Sequence, residues 1–317
     1  MSLKDDLLNH MVGILNQLPF VLIVVLNHNQ KEDTIECLDA LILVKYINCK
    51  IVVIDNHSSD GSQKTIKAKF PDIELIELPT NLGCAGGRNI GYIRAKELKP
   101  DYILFLDNDT VVEQDFLDEL VAVAESDSQI GIVGSVILKL DNMRVWMAGG
   151  NIYRFAYAES LFWDVELTQI PSLAFDVAWV PGCVMLIRYC IVNKIGFFDE
   201  RYFIYFEDID WCIRTLNSGY TIRVAPRSIV KHKVSRSLGG VDSPTKCYYM
   251  TRNYLLFRFT YTRFLGKIFT FGQSFFETMK AVIADISTGK KAGNKRAVAR
   301  LRGLADYCTG KYYEVHL

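Results

Sequence analysis

The strongest constraint on this chain is an alternation. Between residues 20 and 138, short apolar runs are separated by longer amphipathic segments. The pattern predicts strands at 20–26, 50–54, 73–78, 102–106 and 131–138, with helices near 34–47, 61–69, 85–97 and 114–125. Strands this uniformly apolar are buried on both faces, so the expected class is α/β, a mainly parallel central sheet covered by helices on both sides. Residues 144–187 are rich in aromatic and β-favouring side chains and end in the run Ala178 to Ile187, broken by Pro181-Gly182, so mixed strands are expected there. A helix opening near Glu207 and stopping at Gly219 precedes a strand from Thr221 to Ala225, which Pro226 closes.

Both ends read as helical. Apolar residues 7, 8, 11, 12, 15 and 18 recur at helical spacing before Pro19, and from Thr245 onward the pattern is helical to the end. The expected organisation is therefore an N-terminal helix (1–19), an α/β half (20–140), a second half (141–244) and an appended helical extension (245–317).

With 317 residues, half of them apolar, the chain can bury a large core. Its 36 basic and 36 acidic residues cancel, which removes the positive field that a nucleic-acid partner would require. The charge is uneven, however: Arg252 to Arg302 holds eleven Lys or Arg against Glu277 and Asp285 alone. The eight cysteines form no CxxC pair and no metal-finger spacing, so they read as reduced thiols in a cytoplasmic protein. No signal peptide is visible, and the longest apolar run, Phe20 to Leu26, is far short of the ~20 residues that cross a bilayer. Any membrane contact is expected from the surface.

In a sheet of this kind, ligands bind in the crevice beyond the carboxyl ends of the strands. Three places bring carboxylates there. Ile51 to Ile54 runs into Asp55-Asn56-His57-Ser58-Ser59-Asp60-Gly61, Tyr102 to Leu106 runs into Asp107-Asn108-Asp109, and Glu207-Asp208-Ile209-Asp210 opens a helix. The first also reads as a turn and helix cap. Two carboxylates two residues apart repel unless a cation or donor compensates them, and hard oxygen ligands suit Mg2+ or Mn2+. The glycines at 83, 86, 87 and 91 do not form GxGxxG, although small residues opening a helix let backbone N–H groups and Arg88 approach an anion.

Taken in order, Val25-Leu26-Asn27-His28-Asn29, Val53-Ile54-Asp55-Asn56 with Ser58 and Asp60, Asn81-Leu82-Gly83 with Gly87-Arg88-Asn89-Ile90-Gly91, Asp107-Asn108-Asp109 and Glu207-Asp208-Ile209-Asp210 resemble the family 2 glycosyltransferases, in particular the rhamnosyltransferase-like branch. Pro181 to Arg188, Gly196 to Glu200 and Tyr248 to Asn253 extend the resemblance, which covers roughly residues 20–255. It implies an A-type glycosyltransferase fold, a nucleotide-binding half joined to an acceptor-binding half. By position, Asp55 holds the nucleobase or ribose, and Asn29, Asn56, Gly83, Gly87, Arg88, Asp107 and Asn108 belong to the donor pocket. The resemblance further implies a divalent cation, Mn2+ or Mg2+, at Asp107 and Asp109, with His232 at the position of a histidine that completes the site in some members. Asp208, beside Glu207, takes the place of the catalytic base.

The implied reaction is inverting transfer of a sugar from a UDP, dTDP or GDP donor to a hydroxyl of a glycan or lipid-linked glycan, as in surface polysaccharide synthesis. The likeness to rhamnosyltransferases tilts the donor slightly toward a dTDP sugar. Trp179, Gly182 and Asp210 are the acceptor-side candidates, although aromatic residues at such positions also serve as core. Two rivals use the same residue types. A sugar nucleotidyltransferase would carry a Gly-rich basic loop after the first strand, where this chain has Asn27-His28-Asn29-Gln30. A non-catalytic glycan or nucleotide-binding protein of the same fold would tolerate loss of acidic residues, and Asp55, Asp107, Asp109 and Asp208 are all present.

The tail interleaves nine Phe or Tyr with Arg258, Arg263 and Lys267 between Tyr254 and Phe276. Such a segment suits a peripheral contact with an anionic membrane, or packing against the catalytic domain or a second subunit as a homodimer.

Overall fold

The computed structural model describes residues 18–233, 243–312 and 314–315. The expected N-terminal helix lies outside the described residues. β1 (Val21–Asn27) is buried at every position because it lies between β2 (Cys49–Asp55) and β4 (Tyr102–Asp107), both parallel to it. Successive side chains of a strand point to opposite faces. Leu22, Val24 and Leu26 accordingly enter one core layer, and Val21, Ile23 and Val25 the other. That double burial is why the run is uniformly apolar. β3 (Glu74–Glu77) adds to the β2 edge, again parallel.

The connecting helices are α1 (Lys31–Leu41), α2 (Ser62–Lys69), α3 (Gly83–Leu98) and α4 (Phe116–Glu125). α1 is shorter than its sequence pattern suggested: it ends at Leu41, and Ile42 and Leu43 on the turn that follows are exposed, so they do not extend a buried face. α3 sits close to the sheet, and a Cβ at Gly91 would approach Val24 to 2.8 Å.

Beyond β4 the sheet departs from simple winding. β5 (Thr110–Val112), β6 (Ile130–Lys139), β7 (Val145–Met147), the hairpin β8–β9 (Gly150–Tyr153, Tyr157–Ser160) and β10 (Phe175–Asp176) precede β11 (Val184–Arg188). The order across the main sheet is β10-β12-β6-β11-β4-β1-β2-β3. β11 lies between β4 and β6 and runs antiparallel to both. Its apolar residues fit a buried strand in either direction, and only the chain's return path over 140–183 fixes which one. After the short α5 (Val192–Ile195) and α6 (Glu207–Asn217), β12 spans Thr221–His232, running past the point where Pro226 was expected to end it. Pro226 falls within a register break between Ala225 and Ile229, where the lack of an N–H is tolerated.

The extension comprises α7 (Pro244–Tyr261), α8 (Phe264–Ser287) and α9 (Lys291–Cys308). α7 packs into the main body rather than hanging from it, with Leu256 and Phe257 in the core of the sheet layer. Its buried Arg252 donates to the carbonyls of Arg201 and Tyr202, and Asn253 Nδ2 donates to those of Tyr202, Ile204 and Tyr205. These bonds hold a segment in which Phe203, Tyr205 and Phe206 all have positive φ, a conformation such large residues adopt only when their surroundings impose it.

Candidate active site

A cavity of about 390 Å³ opens beyond the carboxyl ends of β1, β2 and β4. Register explains its walls. Leu26 is paired with Asp107 and Asn27 with Asp55, so the polar residues that follow three apolar runs arrive at one edge. The antiparallel β11 brings its preceding loop to the same edge, where Asp107 N–H donates to the Cys183 carbonyl at 3.1 Å. The end of β12 meets β5, pairing His232 with Thr110.

Three potential ligands converge here. Asp107, Asp109 and His232 each offer a donor atom within 4.8 Å of the others, and His232 Nε2 lies 3.0 Å from Asp109 Oδ1. Burial disfavours a charged imidazole, yet the Asp109 carboxylate outweighs this and leaves the His232 pKa raised. Two carboxylates and an imidazole fit Mn2+ or Mg2+, with room left for phosphate oxygens and water.

A buried cation ties this group to α6. Arg88 is 3% exposed and donates from Nη2 to Asp107 Oδ1 at 3.0 Å and from Nη1 to Glu207 Oε1 at 2.6 Å. Gly182 lies over its guanidinium, and a Cβ there would come within 2.7 Å of Nη1. Gly182 N–H in turn donates to Asp208 Oδ2 at 2.8 Å, while Ile209 N–H holds Oδ1 at 2.8 Å. Asp208 is therefore fixed at the cavity wall through backbone donors, and Glu207 is held by Arg88. Burial, reinforced by Asp208, pushes Glu207 up to about 7. Burial also raises the Asp208 pKa, although Arg88 and the two N–H donors oppose it. At the start of α6, desolvation thus prevails over the helix dipole.

One end of the cavity is shaped by a loop clasp. Asn56 receives Leu82 N–H on Oδ1 at 2.8 Å and donates from Nδ2 to the Gly83 carbonyl at 3.0 Å. Gly83 has φ 70° and a Cβ there would lie 2.3 Å from the Phe203 carbonyl oxygen. Gly83→Ala is therefore expected to destabilise the protein by about 1–3 kcal/mol, checked by urea unfolding. Unchanged stability would show that the clasp relaxes freely.

Several expected site residues are engaged by the protein itself. Asp55 is fully buried and accepts from Asn27 Nδ2 (2.6 Å), Ser58 N–H (2.9 Å) and Gln63 Nε2 (2.9 Å). It organises the loop after β2 instead of facing the cavity; its neighbour Asn56 lines the wall. Asn29 braces the same loop by accepting from Ser59 N–H. Gly87 packs against Leu26, where a Cβ would approach to 2.4 Å. Asn108 still lines the cavity, but its carboxamide donates to Asn27 and Thr34 and stiffens the triplet's turn. Asp210, expected on the acceptor side, is buried against Arg214 (2.9 Å) and accepts from Tyr261 Oη (2.6 Å), tying α6 to α7. For Asp55, Asn108 and Asp210 the buried side chain meets a protein partner that sequence order cannot reveal. Trp179 and Gly182 do line the cavity.

The reverse also occurs. His28, to which the sequence assigned no site role, lines the cavity and makes a 2.8 Å contact from Nδ1 to the Asn56 carbonyl. Lys246 and Met250 reach the wall from α7. The signal for His28 was its place just after the apolar run of β1; nothing local marked Lys246.

The sequence pattern of glycosyl transferase family 2 matches residues 22–181, and that of glycosyl transferase family group 2 matches residues 102–288. The chain belongs to glycosyltransferase family 2. A dTDP-rhamnosyl transferase of Shigella flexneri, RfbF, is 30% identical over 233 residues, covering 70% of this chain and 75% of the relative. An N-acetylglucosaminyl-diphospho-decaprenol L-rhamnosyltransferase of Mycobacterium tuberculosis is 26% identical over 219 residues, covering 60% and 68%. The mannosyltransferase PcManGT of Pyrobaculum calidifontis, solved with GDP-Man and Mn2+, shares the fold at a TM-score of 0.57 and 15% identity, over 92% of this chain and 88% of its own. This family 2 enzyme thus has the A-type glycosyltransferase fold and belongs to the rhamnosyltransferase-like branch. It is a nucleotide-sugar-dependent glycosyltransferase, which sets aside both rival readings.

Proposed function

We propose that the enzyme is an inverting glycosyltransferase that moves a sugar, in the manner of the dTDP-rhamnosyl relative, onto a hydroxyl of a glycan or lipid-linked glycan during polysaccharide synthesis. One observation carries this reading. Asp208 and the Asp107, Asp109 and His232 cluster share one cavity, and Arg88 ties the two together by bridging Asp107 and Glu207.

Inversion needs a base on one face of the sugar and a stabilised leaving group on the other. Asp208, held by the N–H groups of Gly182 and Ile209, takes the proton of the acceptor hydroxyl as its oxygen attacks the anomeric carbon. Asp107, Asp109 and His232 would hold a divalent cation, and such an ion would supply positive charge to neutralise the diphosphate leaving group. Glu207 is a positioning residue, because Oε1 is committed to Arg88. Asn56 and the 81–83 loop shape the nucleoside end, and Trp179, mostly buried in the core, forms part of the wall on the acceptor side.

A thermal-shift panel of dTDP, UDP and GDP sugars with Mn2+ tests the donor side. One nucleotide class is expected to stabilise the wild type in a Mn2+-dependent way, and Asp109→Asn is expected to weaken that binding by about tenfold or more. Binding that is equally tight with a chelator, or in the variant, would remove the metal from this reading.

A further inference from the structure

α8 is inverted relative to a helix that merely covers a core. Its inward residues include the small polar Thr270, Ser274, Thr278 and the acidic Asp285, all buried. Its large apolar side chains point outward: Phe264, Ile268, Phe275, Phe276, Ile283 and Ile286 are all exposed, Phe264 by 80% and Ile268 by 76%. At 3.6 residues per turn these six fall within an arc of about 120° and a length of about 33 Å. Burying apolar area is the main stabilising force in water, so a continuous outward stripe of this length marks a surface made for a partner. Among the described residues, no helix is long and apolar enough to cross a membrane.

Charge identifies the partner. Arg263 and Lys267 stand at one end of α8, Lys280 lies along it, and Lys290, Lys291 and Lys295 follow its other end. Within 263–302 the acidic residues are Glu277 and Asp285, and Asp285 is buried in bonds to Arg296 and Arg300. Packing two copies along this stripe brings basic ends against basic ends, whether the helices run parallel or antiparallel. A surface bearing negative charge has no such conflict, and an amphipathic helix with basic flanks gains from both terms there.

The neighbouring hairpin shares this character. At its tip Tyr153 and Tyr157 are about half exposed, and Arg154 lies over the Phe155 ring. Phe155 packs on Phe269 of α8 with ring centroids 5.2 Å apart, and its carbonyl accepts from Arg258 Nε at 3.0 Å. The other end of the hairpin, Gly150, exchanges backbone hydrogen bonds with Trp179 on the cavity wall. We infer that the outward face of α8, with the β8–β9 tip, docks on an anionic lipid bilayer surface and so sets the acceptor side of the cavity beside a lipid-borne substrate. The placement of the acceptor rests on the proposed function; the docking itself requires neither donor nor turnover.

The test is co-sedimentation of the full chain with vesicles of phosphatidylcholine, with and without one third phosphatidylglycerol. The variant Ile268→Ser, Phe276→Ser, Ile283→Ser changes only exposed side chains, so its unfolding temperature and its Mn2+-dependent nucleotide binding should match the wild type. Expected are salt-sensitive binding to the anionic vesicles only, and a loss of about tenfold or more in the triple variant. Absence of binding at low salt, equal binding by the variant, or a dimer that the variant dissociates while vesicles are ignored would each overturn the docking. Those results leave the Asp208 reading untouched, and an inactive but vesicle-bound enzyme does the converse.

Discussion

Asp208→Asn is expected to lower kcat by at least about 10²–10⁴-fold while leaving nucleotide-sugar binding within about twofold of wild type. The substitution keeps the shape and one oxygen to accept the Gly182 or Ile209 N–H but gives up the other bond, so retained nucleotide-sugar binding is the readout that separates lost proton acceptance from lost positioning. The pH profile supplies a second readout. A base acts only when deprotonated, and burial raises the Asp208 pKa, with Glu207 beside it raised to about 7. Activity should therefore fall as pH is lowered through a midpoint above the ordinary carboxylate range, and this limb belongs to the pair of carboxylates jointly. Near-normal turnover in Asp208→Asn, or an acid limb near pH 4, would assign the base elsewhere.

The second large effect is expected at Arg88, through stability as well as rate. Removing one partner from a buried ion pair strands the other, at a cost of about 3–5 kcal/mol. Arg88→Met leaves Glu207 buried without its cation and Asp107 without its brace, so both the unfolding free energy and the activity should drop sharply. Adding Glu207→Gln should restore much of the stability, since no orphaned charge then remains in the core. Activity should stay low in the double variant, because Asp107 and the start of α6 are no longer held by one cation. Recovery of both quantities together would mean that Arg88 serves the fold alone, and recovery of neither would mean that Glu207 is not its principal partner.

Much of the sheet was legible because a doubly buried strand leaves an uninterrupted apolar run. β1, β2, β4 and β6 each fall within a residue or so of the expected positions. The carboxylates at their ends were legible for the same reason, since Asp107 and Asp109 stand where an apolar run stops. What a buried polar side chain does was not. Asp55 and Asp210 have the same composition and local setting as residues that face a ligand, yet each is turned toward partners distant in sequence: Asn27 for one, Tyr261 for the other.

The sequence by itself therefore determined the strand and helix pattern, the family and the acidic residues from which a site could be made. Apolar periodicity is local, and a motif keeps its spacing wherever it is read. Only the tertiary structure decided the direction of β11, the inclusion of α7 in the catalytic body, the Arg88 bridge between Asp107 and Glu207, and the outward turn of the apolar face of α8. Each depends on which surfaces meet across tens to hundreds of residues, and packing and desolvation act on those meetings rather than on the order of the chain.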